Sequence, residues 1–77
     1  MKENEKDIFF DIFKDVMSVD NVDLNYNIKN LSRWDSLKTV EMIIEIEKVF
    51  NIKIQREHLP EMNSVSKILN VLDKYLK

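Results

Sequence analysis

Asp35 and Ser36 are the residues whose types and spacing best suit chemistry, because they stand at the start of an apolar-periodic stretch. An Asp directly before such a stretch predicts a helix N-cap, since its carboxylate accepts hydrogen bonds from the exposed N–H groups of the first turn. Ser36 then occupies the first helical position, beside unpaired backbone donors and the positive end of the helix dipole. A phosphate attached to its hydroxyl would be favourably placed.

The helix predicted to follow Asp35 carries two apolar groups when its residues are projected at about 100° each. The broader group predicts a core-facing side: Thr39, Met42, Ile43, Ile46, Val49 and Phe50. The second is a narrow strip next to Ser36, made of Leu37, Val40 and Ile44 and bordered by Glu41, Glu47 and Lys48. Apolar strips with charged rims are typical of docking surfaces. Burial of both groups by neighbouring elements is the alternative, and spacing leaves it open.

The chain resembles the acyl carrier protein family in a run of motifs. They are Asp35-Ser36-Leu37, Val40-Glu41, an apolar and acidic helix, Phe50-Asn51-Ile52-Lys53-Ile54, and Asn63-Ser64-Val65 before a last amphipathic helix. The similarity therefore covers most of the chain. It is consistent with the all-α fold that the periodicity predicts, a small bundle of three to four helices with a long loop between helices one and two. We expect a single carrier-protein domain over residues 1–77.

The resemblance implies that a phosphopantetheinyl transferase moves 4'-phosphopantetheine from coenzyme A onto Ser36, with Asp35 as the helix cap beside it. The thiol of that arm would carry an acyl or aminoacyl group as a thioester. The protein would then be no enzyme, but would present its cargo to loading ligases or transferases and to downstream acyl-transfer enzymes. The expected docking residues are Leu37, Lys38, Val40, Glu41, Ile44, Glu45, Glu47, Lys48, Ile54 and Glu57.

Lys38 and Lys48 interrupt the acidic character of helix two, which is stronger in the commonest fatty-acid carriers. This departure favours a dedicated carrier for one biosynthetic pathway, fatty-acid, polyketide or related, with partners selected by mixed charge. A carrier of aminoacyl, peptidyl or D-alanyl groups is the nearer alternative, since it would share the serine. An unmodified helical module that binds another protein through its apolar strip is the more distant alternative.

Composition limits the classes of function. Seventy-seven residues make one small domain, too small for an elaborate active site, and 44% hydrophobic with 34% charged residues is typical of a globular chain. A net charge of -2 argues against nucleic-acid binding, and the lack of cysteine excludes disulfides and thiolate metal sites. The apolar runs are too short to span a bilayer and no signal-peptide pattern is present. We expect a cytoplasmic monomer.

The remaining elements follow from periodicity and capping signals. Helix one is predicted from about Glu3 to Met17, with a core stripe of Ile8, Phe9, Ile12, Phe13 and Val16, bordered by Phe10 and Met17. A long connection covers 18–33, with Val22, Leu24, Tyr26, Ile28 and Leu31 as possible anchors. Trp34 is expected to pack back onto the first turns of helix two. Because glycine is absent, we expect asparagine at left-handed turns.

The carboxyl-terminal third is predicted to hold a short and a long helix. Helix two should end at Phe50 with Asn51 as a left-handed stop, followed by an extended 52–55 in which Ile54 is tucked in or faces partners. A short helical turn over 56–61, limited by Pro60, contains His58, which we expect to be a surface residue without partners or chemistry. Ser64 should cap the last helix, and Lys74 and Lys77 suit its end. Its predicted apolar face is Val65, Ile68, Leu69, Val71, Leu72, Tyr75 and Leu76.

Overall fold

Helix α1 spans Glu3–Met17 in the computed structural model, with the bounds that the periodicity predicts. The structure describes residues 1–76, so the expectation for Lys77 lies outside the described residues. Phe9, Ile12, Phe13 and Met17 are buried on one side of α1. Ile8 is exposed, and its predicted place in the core stripe is wrong. At about 100° per residue it projects on the far side of Phe9 from Phe13 and Met17, beyond the edge of the stripe.

Helix α2 spans Ser36–Phe50, and both of its predicted ends are confirmed. The Asp35 carboxylate accepts a hydrogen bond from the Lys38 N–H at 2.8 Å, as an N-cap should. At the other end Asn51 is left-handed, with φ 54° and ψ 50°, and its N–H returns to the Glu47 carbonyl. The helix therefore begins and ends where local side-chain and backbone chemistry satisfies its terminal groups.

The core-facing side of α2 is narrower than predicted. Met42 and Ile46 are buried, and Thr39, Ile43 and Phe50 are half-buried. Val49 is 51% exposed, so its predicted core position is wrong. It projects only about 20° from buried Met42, but it lies two turns further along, next to the last residue of α2, where neighbouring elements leave this side of the helix uncovered.

A 3₁₀ helix at Arg56–Glu61 and helix α3 at Val65–Tyr75 complete the fold. The Ser64 hydroxyl accepts from the Lys67 N–H at 3.2 Å, which confirms the predicted cap of α3. α3 buries four apolar side chains, Val65, Ile68, Val71 and Leu72, while Leu69, Tyr75 and Leu76 are half-buried. The described residues thus form the small all-α bundle that the sequence predicts, with a long loop between α1 and α2.

The loop between α1 and α2 is held by backbone hydrogen bonds and by asparagine side chains. Asn27 Oδ1 accepts from the Lys29 N–H at 2.8 Å, and Asn30 Oδ1 accepts from the Asn27 N–H at 2.8 Å. The loop is attached to the start of α3 by two backbone bonds, Ile28 N–H to Asn63 O at 2.9 Å and Val65 N–H to Tyr26 O at 3.0 Å. Within 18–35 the described chain forms turns and no helix.

Most of the predicted loop anchors do contact the core. Val22, Tyr26, Ile28 and Leu31 are partly buried against it. Leu24 is exposed and is not an anchor of the core; it lies at the rim of a surface cleft beside Ser66, whose hydroxyl donates to the Leu24 carbonyl at 3.0 Å. The loop is thus fixed mainly at its middle and at its end, where it joins α2.

One hydrophobic core joins the three α-helices and the loop. Phe13 of α1 lies at its centre, with its ring 5.4 Å from Trp34 in an edge-on arrangement and 6.2 Å from Tyr26 in a stacked one. Such aromatic pairs stabilise beyond the area they bury. Contributions to the core come from the three α-helices, from the loop, and from Ile54 and Met62 in the connections on either side of the 3₁₀ helix, which buries none of its own side chains. The orientation of α2 therefore depends on α1 and on the loop together.

Ser18, which follows α1, is left-handed at φ 56°, where we expected asparagine. Its carbonyl accepts from Arg33 Nη1 at 2.6 Å, which ties the two ends of the loop together. A left-handed conformation costs an ordinary L-residue roughly 1–2 kcal/mol, and glycine does not carry this cost.

We therefore expect Ser18→Gly to raise the free energy of unfolding by about 1 kcal/mol, measured by urea denaturation. Ser18→Ala is the matched control, because it removes the hydroxyl but keeps the Cβ, and we expect no stabilisation from it. Equal stabilisation by the two variants would show that the backbone angle is not the cause.

Candidate functional site

Ser36 occupies the first position of α2, and its side chain is exposed to solvent. Among residues 1–76 the structure records no hydrogen bond to its hydroxyl. The Asp35 carboxylate takes the Lys38 N–H, and the Asp35 carbonyl takes the Thr39 N–H at 3.0 Å. The amides of Ser36 and Leu37 belong to the four that a helix start leaves without intrahelical partners. A free hydroxyl thus stands beside two available backbone donors at the positive end of the helix.

Trp34 fixes the backbone just before Ser36. It is only 2% exposed, packs against Phe13, and donates from its indole Nε1 to the Thr39 hydroxyl at 2.7 Å. The Thr39 hydroxyl in turn donates to the Asp35 carbonyl at 3.1 Å. This chain of two hydrogen bonds connects the buried indole to the peptide that precedes Ser36. The expected structural role of Trp34 is confirmed.

Sequence reasoning did not assign a role to the Thr39 hydroxyl, which it placed only among the core-facing residues. A usable signal was present. A buried indole N–H needs an acceptor, and Thr39 is the hydroxyl residue on the core side of the first turn after Trp34. What the sequence could not supply was the orientation of the indole, since this is set by Phe13 from α1.

A shallow cleft of about 210 Å³ opens beside Ser36, between the start of α2, the loop and the 3₁₀ helix. Its walls are mostly apolar, from Ile28, Leu59, Pro60 and Met62, with Thr39 and Asn63 adding polar groups. Met62 is buried and belongs to the core, so it closes the floor. These cleft residues were not among those predicted for the site, because they come together only through the contact of the loop with the start of α3.

The predicted apolar strip on α2 is exposed. Leu37, Val40 and Ile44 are 66%, 51% and 51% exposed, so the alternative in which neighbouring elements cover both apolar groups is wrong. These residues lie at i, i+3 and i+7, on one side of the helix and directly after Ser36. The structure thus brings together an unpaired serine hydroxyl and an uncovered apolar surface.

The charged residues that were predicted for docking differ in their availability. Glu41 pairs with Lys38 at 3.4 Å and Glu45 with Lys48 at 3.5 Å. In each pair one residue is exposed and the other is half-buried. Glu47 is half-buried, and its carboxylate accepts from the Ile54 N–H at 2.8 Å. It therefore holds the extended 52–55 segment against α2. Glu57 is exposed on the 3₁₀ helix, off α2.

Ile54 does not belong to the exposed surface. It is 4% exposed and packs in the hydrophobic core, so the prediction that it contacts partners is wrong and the alternative of a tucked-in side chain is right. The cause is the Glu47 bond to its backbone N–H, which fixes this segment with Ile54 pointing inward.

His58 has a partner, contrary to expectation. Its Nδ1 lies 2.7 Å from the Tyr75 hydroxyl, and the Gln55 N–H donates to the same hydroxyl at 3.0 Å. The two rings meet edge-on at 5.6 Å. This cluster fastens the 3₁₀ helix to the end of α3 and does not involve Ser36. Within residues 1–76 no group of three or more His, Cys, Asp or Glu side chains is arranged to hold a metal ion.

A comparison with curated proteins finds a relative that matches over nearly the whole chain. It is named acyl carrier protein, from Amoebophilus asiaticus, and is 32% identical over 73 residues, covering 95% of this chain and 91% of the relative. No protein-family profile matches the chain. Among the described helices, none is long and apolar enough to cross a membrane.

The bond between Trp34 and Thr39 gives a direct test of how the start of α2 is held. Thr39→Val leaves the indole N–H of Trp34 without its acceptor, so we expect the free energy of unfolding to fall by about 1–3 kcal/mol. We also expect faster amide hydrogen exchange in the first turn of α2.

Thr39→Ser is the control, since it retains the hydroxyl and should stay within about 1 kcal/mol of the native chain. In the double variant Trp34→Phe/Thr39→Val the losses should be less than additive, because both changes break the same bond. Strict additivity would contradict the bond's role.

Proposed function

The chain belongs to the acyl carrier protein family, and on that basis we propose that it carries an acyl group as a thioester on 4'-phosphopantetheine attached to Ser36. The exposed, unpaired hydroxyl of Ser36 at the start of α2 is the observation that carries this proposal. The prosthetic group would supply the thiol, which a chain without cysteine lacks. The protein would work in the cytoplasm, as a monomer and without catalytic activity of its own.

The residues around Ser36 fit such an attachment. The helix start offers the amides of Ser36 and Leu37 beside the hydroxyl, and amides at a helix N-terminus suit a phosphate. The Asp35 carboxylate accepts a hydrogen bond from the Lys38 N–H, and this cap stabilises the first turn of α2. The mostly apolar cleft walled by Ile28, Leu59 and Pro60 opens next to the same hydroxyl. A long, flexible substituent therefore has both an anchoring environment and an apolar surface to lie against.

Attachment requires a separate enzyme. The Ser36 oxygen would bond to the phosphorus on the pantetheine side of the coenzyme A pyrophosphate, and 3',5'-adenosine bisphosphate would leave. A base must take the hydroxyl proton, and within residues 1–76 no carboxylate or imidazole hydrogen-bonds to that hydroxyl. A phosphopantetheinyl transferase would supply this base. Ser36 would contribute the nucleophilic oxygen, and the fold of the chain leaves its hydroxyl exposed to the transferase.

The apolar strip of Leu37, Val40 and Ile44 is the surface that we propose for docking. It starts one residue from Ser36, so an enzyme seated on it would have the attached arm directed at its own active site. Tethering raises the local concentration of the cargo once the partner has docked. Loading ligases or transferases and downstream acyl-transfer enzymes of one dedicated pathway, fatty-acid, polyketide or related, would be the partners.

The identity of the cargo separates this proposal from its nearer alternative. A carrier of aminoacyl or D-alanyl groups would use the same serine and the same helix, and only the loading enzyme would differ. Acylation of the modified protein by a fatty-acid or polyketide loading enzyme, compared with loading by an amino-acid ligase, distinguishes the two.

Intact mass spectrometry tests the attachment. After incubation with coenzyme A and a broad-specificity phosphopantetheinyl transferase, we expect the native chain to gain the mass of one phosphopantetheinyl group. Ser36→Ala should gain nothing, whereas Ser32→Ala, which removes another exposed serine in the preceding loop, should gain the group like the native chain. No gain in the native chain, or an equal gain in Ser36→Ala, would refute the carrier proposal.

Two valines of equal exposure test the docking strip. Val40 lies on the strip and Val49 lies off it, and both are 51% exposed. We expect Val40→Gln to lower kcat/KM of the transferase about fivefold, as loss of roughly 1 kcal/mol of apolar contact requires. Val49→Gln should leave kcat/KM close to the native value. Equal effects of the two substitutions would show that the strip has no special part in docking.

A further inference from the structure

Four charged residues form a ridge along one flank of the apolar strip, in the order Lys38, Glu41, Glu45, Lys48. At about 100° per residue all four project within roughly 80° of one another. The strip of Leu37, Val40 and Ile44 lies immediately beside them. An enzyme that covers the strip must therefore also face this charged ridge.

The ridge is paired within itself. Lys38 Nζ lies 3.4 Å from Glu41 Oε2, and Lys48 Nζ lies 3.5 Å from Glu45 Oε1. Along the helix the charges run plus, minus, minus, plus, and they sum to zero. Exposed pairs of this kind contribute little to stability. Their larger effect is on the electrostatic potential that an approaching protein meets.

The two lysines reduce the negative charge that this side of α2 presents to a partner. Lys38 lines a cleft of about 390 Å³ between α1 and α2 together with Asp15, Glu41 and Glu45. On the opposite flank of the strip the Glu47 carboxylate is occupied by the Ile54 N–H. Without the lysines, Glu41 and Glu45 would lose the cations that pair with them, next to Asp15 in the same cleft. With them this side of α2 presents positive charge at both ends of the strip.

We propose, on the basis of the proposed carrier function, that Lys38 and Lys48 determine which enzymes dock. The matching surface has an apolar socket for Leu37, Val40 and Ile44, flanked by acidic groups opposite the two lysines and basic groups opposite Glu41 and Glu45. A uniformly basic surface places like charges against both ends of the strip, which lowers the rate of association. The lysines thus act as specificity residues through repulsion, while the apolar strip supplies the contact.

The test uses a phosphopantetheinyl transferase whose carrier-binding surface is basic, with transfer to Ser36 as the readout. Lys38→Gln/Lys48→Gln is expected to raise kcat/KM about fivefold at roughly 0.05 M sodium chloride, and Glu41→Gln/Glu45→Gln to lower it by a similar factor. Both effects should shrink towards onefold at roughly 0.5 M salt, because the Debye length falls from about 14 Å to about 4 Å.

A matched control separates the ridge from the total charge of the chain. Lys6→Gln/Lys67→Gln makes the same change in net charge with exposed lysines of α1 and α3, and it should leave kcat/KM close to native. Circular dichroism and urea denaturation establish that each variant is folded. An equal gain in the control, or no response of kcat/KM to either ridge variant, would overturn the proposal. Absence of any transfer to Ser36 in the native chain would instead refute the carrier function itself.

Discussion

The hydrogen bond between the buried indole of Trp34 and the Thr39 hydroxyl is the interaction on which the site depends. It joins two different kinds of constraint: Trp34 is held by Phe13 in the core, and Thr39 binds the Asp35 carbonyl at the start of α2. The last peptide of the loop is thereby fixed relative to α1. Ser36 follows directly, so an exposed hydroxyl is positioned by a side chain that is only 2% exposed. A rigid support of this kind limits the directions in which an attached arm can leave the surface.

Helix α2 buries apolar side chains on one side and exposes an apolar strip on another. Met42 and Ile46 face the core, whereas Leu37, Val40 and Ile44 face solvent. Three large apolar side chains stay uncovered although a domain of this size has only marginal stability. That arrangement is expected where the uncovered surface is used for transient binding to other proteins. The side of α2 that holds the fold is thus distinct from the side proposed to meet partners.

The charged side chains of α2 also fall into an internal group and a surface group. Glu47 is engaged internally with the Ile54 backbone, while the ridge from Lys38 to Lys48 pairs its charges at the surface. An uncompensated acidic field would attract any basic protein surface over long distances, and internal pairing shortens that range. In the proposed mode of docking, recognition would depend on contact at the apolar strip and on the order of charges beside it. The proposed role as a carrier for one pathway would benefit from such selectivity.

The sequence alone determined the bounds of α1 and α2, the caps at Asp35, Asn51 and Ser64, the 3₁₀ segment and the position of Ser36, because these depend on side-chain chemistry within a few residues. It also divided α2 into two apolar groups. Only the tertiary structure decided which group is covered, since coverage depends on where α1 and the loop lie. For the same reason it exposed Val49 and Leu24, buried Ile54, gave His58 a partner in Tyr75, and made Thr39 the acceptor for Trp34. Each of these outcomes depends on which distant parts of the chain reach the residue, or on a side-chain orientation fixed by one of them, and sequence periodicity encodes neither.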